Sequence, residues 1–155
     1  MRITINRSRS KGATMVEFAL IASILFTVIF GIIDFGRYMF AMATINYAAQ
    51  QGARTGLVGS PASAIVTSIQ TTAGWAVKQS DLTITFFPVT YNYTAPNPPY
   101  FTDPANTAVQ TQGGSGAYMR LRVQYTFSFL ALRPLFPAGT KTISASVLYQ
   151  NENFD

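Results

Sequence analysis

Hydrophobic and polar positions change their period twice along this chain. From Phe18 to Ile33, the run FALIASILFTVIFGII carries no formal charge and is bounded by Glu17 and Asp34. Extended back to Ala13, it gains Glu17 as its only ionisable group. At about 1.5 Å per residue the stretch from Ala13 to Ile33 reaches roughly 30 Å, the thickness of a bilayer core. This pattern predicts a membrane-spanning helix. No proline interrupts Phe35 to Thr55, where alanines, Met39, Met42 and Gln50 suit continued helix. Phe40, Ala43, Tyr47 and Gln50 or Gln51 recur at three- or four-residue spacing, the first three as a narrow apolar stripe. A helix from about Thr14 to Thr55 is on the order of 60 Å long, and its outer half needs a domain to pack against. Gly56 and the pair Gly59-Ser60 supply a stop.

Ser60-Pro61 restarts the helical pattern, with serine expected as N-cap and proline at the first helical position. Between Pro61 and Lys78, Ile65, Ile69, Thr72 or Ala73, and Ala76 share one face. Trp75, near the end of this second helix, is expected to anchor the core. Beyond Ser80 the period falls to two. LTITFFPVTYNY puts Leu82, Ile84 and Phe86 on one face. Tyr118–Leu130 does the same with Leu121, Val123, Tyr125, Phe127 and Phe129, opposite Arg120, Arg122, Gln124, Thr126 and Ser128. Thr142–Tyr149 turns Ile143, Ala145, Val147 and Tyr149 inward. The expected fold class is therefore α+β: a long N-terminal membrane-spanning helix continuing into a small domain. That domain has a second helix and a roughly three-stranded antiparallel sheet covered on one face.

Two connections stand out. Residues 92–116 are rich in Pro, Asn, Thr and Gly, and a loop of that length is usually functional or mobile. Its Tyr93, Tyr100 and Phe101, with neighbouring Tyr91, serve either as the loop's own anchors or as an adhesive, glycan-stacking surface. LALRPLFPAG, residues 130–139, gathers Leu130, Leu132, Leu135 and Phe136 around a turn. Such a tip either folds over the core or meets another subunit. GARTG at 52–56 has GxxxG spacing but lies outside the apolar run and reads as a helix end.

Charge sharpens this picture. The formal net charge is +5, and Arg2, Arg7, Arg9 and Lys11 supply four of those charges before Gly12. The rest of the chain is nearly neutral and has no basic face for nucleic acid. The basic residues before the apolar run predict the N-terminus in the cytoplasm and the C-terminal part outside. Asp34 and Arg37 then mark the outer membrane interface. Cysteine and histidine are both absent, which removes thiolate and imidazole metal ligands and the Ser–His–Asp arrangement. No cofactor is implied, the few carboxylates assemble no active site, and an enzyme is not expected. A cleavable secretory signal is the rival for the N-terminal segment, with Ala41-Met42-Ala43 as its A-x-A site. Against it, Asp34 and Arg37 charge the cleavage region and the helical pattern runs through it. A buried core helix of a soluble domain is the remaining alternative.

Glu17 needs a reason, because an acid in an apolar membrane helix costs roughly 2.5–3.5 kcal/mol at the bilayer centre. Snorkelling to the interface is one answer. Cleavage after Gly12 gives another, since the new amine of Ala13 would lie one helical turn before Glu17 and could pair with it in its own helix or a neighbouring one. KGATMVEF, residues 11–18, resembles the prepilin processing motif, in which cleavage follows glycine and glutamate is the fifth mature residue. The longer run from Gly12 to Gly56 resembles TadE-like proteins, the minor pilins or pseudopilins of Tad (Flp-type) pili. The likeness rests on G-A-x-x-V-E-F-A-L, on Asp34-Phe35-Gly36-Arg37, and on Ala48, Ala49, Gly52, Ala53 and Arg54. TISASVLYQNE, near the end, is a weaker match to the family's closing strand. Phe18 stands where major Flp pilins usually carry tyrosine, which fits a minor member.

The resemblance implies a processing site at Gly12 and Ala13, assembly and register residues Glu17 and Phe18, and leader charges Arg7, Arg9 and Lys11. It implies a cleaved cytoplasmic leader (1–12), a transmembrane and assembly helix (13–34) and an extracytoplasmic head (35–155). The implied partners are other pilins or pseudopilins through the N-terminal helix, a prepilin peptidase, an inner-membrane assembly platform and membrane lipid. The implied location is a bacterial inner membrane, with possible incorporation into an extracellular pilus. A membrane-anchored extracytoplasmic binding module is the alternative reading.

Overall fold

A computed structural model describes residues 8–91, 101–102, 108–133 and 139–152; residues 8–11 and 101–102 are described as backbone only. Helix α1 runs from Ser8 to Leu57, 50 residues without a break. Its first half is apolar on every side, and Met15, Phe18, Leu20, Ile24, Leu25 and Ile32 all stand exposed. An all-round apolar helix is stable only inside a protein core or a membrane. The second half is one-sided. Ala41, Ile45, Ala48, Ala49 and Ala53 are buried there against the head.

The buried stripe is not the one that Phe40, Ala43 and Tyr47 suggest. Phe40 and Tyr47 are exposed on the opposite side of α1. The head selects the small-residue face because close approach lets α2 and the sheet insert large side chains. A Cβ on Gly52 would meet Ile69 at 2.5 and 2.6 Å, and one on Gly56 would meet the Tyr149 ring at 2.6 Å. GARTG is thus a packing surface rather than only a helix end. The stop comes at Gly59, whose φ of 68° suits glycine and whose N–H donates to Gly56 O at 3.0 Å.

Helix α2 spans Ala62–Ala73, shorter than the expected Pro61–Lys78. Its N-cap is Pro61 rather than Ser60, and no capping side chain lies at that position. The first free amide is instead met from a distance, as Ala62 N–H donates to Gln112 Oε1 at 3.2 Å. The helix ends at Gly74, a poor helix former. Ile65, Ile69 and Ala73 are buried, as their spacing predicts. Trp75 is not a core anchor. It is 71% exposed, in the turn after α2, with its ring edge-on to Phe40 at 5.1 Å.

The sheet follows the two-residue alternation closely. Strands β1 (Leu82–Pro88), β4 (Tyr118–Ser128) and β5 (Thr140–Gln150) form an antiparallel sheet in the order β1-β4-β5. The register aligns Ile84 with Val123, and Val123 with Ala145. Short strands β2 (Thr90–Tyr91) and β3 (Phe101–Thr102) pair separately. Leu121, Val123, Phe127, Ile143, Ala145 and Tyr149 face α1 and α2 and close one core with Ile45, Ile65 and Ile69. Fully burying each large apolar side chain contributes about 1.5–3 kcal/mol. The fold is α+β, as expected. Most of the 92–116 loop and the tip residues Leu135 and Phe136 lie outside the described residues. Tyr91 stacks on Tyr118 at 5.7 Å, which is anchoring rather than display.

Candidate functional site

The most constrained polar site lies where the apolar half of α1 gives way to the packed half. Asp34 is 1% exposed. Its carboxylate accepts the N–H groups of Leu130 at 2.9 Å, Ala131 at 2.7 Å and Leu132 at 3.0 Å, all in the turn after β4. Arg37, one turn along α1, donates to the other carboxylate oxygen at 3.1 Å. Among the described residues this is the only ion pair. Three backbone donors and a guanidinium match the acceptor capacity of an ionised carboxylate, so burial leaves it satisfied.

Aromatic rings complete the latch. Arg37 lies over the Phe127 ring at 5.3 Å, and Tyr38 meets Phe127 and Phe129 at 5.5 and 6.0 Å. The expected Asp34–Arg37 pair is therefore present. Asp34 reaches into the protein and ties the head's turn to the helix, a role the sequence reading of an outer membrane interface did not include.

The other expected site residues lie along the free half of α1. Gly12, Ala13, Glu17 and Phe18 are all exposed, and no atom beyond the helix's own backbone lies within 4 Å of the Cβ position of Gly12. The Gly12–Ala13 peptide bond is inside the helix. Glycine in a helix interior costs about 1 kcal/mol relative to alanine, so this is a weak point for local unwinding. Glu17 faces outward between apolar residues. Arg7 lies outside the described residues, as do the side chains of Arg9 and Lys11. Among the described residues no group of three or more His, Cys, Asp or Glu side chains is placed to hold a metal ion.

The helix also carries the family signal. Residues 12–54 match the TadE-like protein family. The matched segment lies wholly within α1, and both its bare half and its head-bound half are included. No curated protein and no solved structure matches the chain. The match covers 43 of the 155 residues and leaves α2 and the sheet of the head outside it. The apolar length of α1 is compatible with membrane anchoring.

Two elements of the TadE-like pattern have physical counterparts in the fold. Asp34 and Arg37 of D-F-G-R form the latch. Ala48, Ala49, Gly52 and Ala53 form the close-packing face beneath α2 and the sheet. Sequence reading missed that second role. The clue was available: four small residues at helical spacing, on the side away from the aromatic stripe.

Proposed function

We propose that this protein is a minor pilin or pseudopilin of a Tad-type pilus. It is made with a basic cytoplasmic leader, held in the inner membrane by α1, and cut after Gly12 by a prepilin peptidase. The mature chain then joins other pilins or pseudopilins through the freed half of α1, aided by an inner-membrane assembly platform. The observation that carries this reading is the TadE-like match over a helix that is bare on every side from Ala13 to Phe30 yet packed beyond it. Bare apolar surface of this length needs lipid before assembly and other apolar helices afterwards. The Ala13 amine and Glu17 supply one polar contact within that surface, which fixes register between helices that otherwise slide. The head remains outside and contributes to assembly or to surface attachment.

Two measurements test the proposal. N-terminal sequencing of the protein from membranes or sheared filaments should start at Ala13. An intact Met1 would leave a tethered binding module instead. Glu17→Ala should insert into the membrane at the wild-type level while reducing piliation severely. Unchanged piliation would reject the register role.

A further inference from the structure

We propose that the turn after β4, residues 130–133, with Lys141 beside it, is a second membrane contact, seated on anionic phospholipid headgroups beside the point where α1 leaves the bilayer. This rests on the membrane reading of α1 and adds a partner for the head.

The position comes first. The latch holds residues 130–132 against Asp34, and Leu132 Cδ2 lies 3.8 Å from the Cβ position of Gly31. Gly31 is inside the apolar run, about 4.5 Å along the helix axis before Asp34. Leu132 therefore reaches to the apolar side of the boundary that Asp34 marks. Leu130, held at the level of Asp34, is 72% exposed. Next to it Phe35, Tyr38, Phe129, Leu132 and Lys141 line a groove of about 180 Å³. Four of these five present carbon, and the lysine supplies a cation at the edge.

Charge then selects the lipid. Arg133 and Lys141 are exposed, and Arg37 is half-exposed above the Phe127 ring. Among the described residues, the carboxylate that meets this turn, Asp34 of α1, is buried and already bound to Arg37 and three amides. Asp81 precedes β1, whose first residue pairs with Tyr125, five positions before Leu130 in the chain. Apolar side chains flanked by the exposed cations of Arg133 and Lys141 suit the boundary between acyl chains and anionic headgroups, where basic side chains snorkel. A neutral headgroup would leave the cations without counter-charge.

The absence of cysteine from the chain allows single spin labels to be placed for the test. The full chain is reconstituted in nanodiscs of phosphatidylcholine, with or without phosphatidylglycerol. Labels are placed at Leu130→Cys, at Thr126→Cys higher on β4, and at Ile24→Cys within the apolar half of α1. Collision with oxygen and with a water-soluble nickel complex gives the depth of each. The proposal expects the Ile24 label to be deep in both lipids. The Leu130 label should lie at the interface only with phosphatidylglycerol, and the Thr126 label should stay in water.

The double change Arg133→Gln with Lys141→Gln should weaken the Leu130 contact about tenfold or more. Arg133→Lys with Lys141→Arg should retain it, which separates charge from misfolding. A water-exposed Ile24 label would overturn the membrane reading and this proposal with it. A deep Ile24 label with Leu130 as accessible as Thr126 would overturn the contact of this turn alone. Equal shielding of Leu130 in neutral discs, or shielding that grows with protein-to-lipid ratio, would overturn the anionic lipid in favour of a nonspecific contact or a second copy.

Discussion

Asp34 shows what a single carboxylate can do when its acceptors are all used. Its partners are three successive amides and one guanidinium. Replacing it with asparagine keeps the shape but offers one acceptor oxygen and turns an amide group toward donors. Hydrogen bonds to a charged group contribute about 1.5–3 kcal/mol, and an orphaned buried donor adds a similar penalty. Asp34→Asn should therefore free the turn, and amide exchange at Leu130, Ala131 and Leu132 should speed up at least tenfold while exchange in α2 changes little. Unaltered exchange at those amides would show that packing alone holds the turn. The acid–base pair was legible in the sequence from its i, i+3 spacing. The three amides were not, because every residue carries a backbone N–H and nothing in LALR marks those as the donors.

Elements were easier to read than their faces. The long helix, the second helix and all three main strands follow from period and breakers. The strands also gave their inward faces, because a two-residue alternation leaves only two choices. A helix offers many directions, and there the aromatic stripe of Phe40, Ala43 and Tyr47 misled. Its large side chains are exposed, with Phe40 meeting Trp75 in place of the core. Small side chains won the interface because the partners are large. Ile69 and Leu121 Cδ2 both lie within 3.2 Å of where a Gly52 Cβ would stand. Gly52→Ala gains up to about 1 kcal/mol of helix propensity, but overpacking costs about 1–3 kcal/mol. The net expectation is a less stable head, seen as a lower denaturant midpoint for the detergent-solubilised chain. The same change at Gly36, where the Cβ meets nothing within 4 Å, should stabilise or leave stability unaltered.

At the scale of the whole molecule, the head and the outer half of α1 form one folded unit, and Tyr149 reports on its integrity. The Tyr149 ring packs on Gly56 of α1, and its hydroxyl donates to Gln112 O in the turn that also meets the start of α2. Burial pushes its phenol up to about 12, against an ordinary value near 10. The neutral form is favoured in the folded state. Its contribution is therefore fully present below about pH 10 and is lost as pH rises through about 12. At about 1.4 kcal/mol per pKa unit, the loss is on the order of 2–3 kcal/mol. Denaturant midpoints of the wild-type chain should fall across that window. Tyr149→Phe has no phenol to ionise and should show a clearly shallower fall, with near wild-type stability at neutral pH, since its hydrogen bond is long at 3.4 Å. Parallel curves for the two proteins would mean that the phenol ionises equally easily in the folded and unfolded chain, and so that burial at this seam does not hold it neutral.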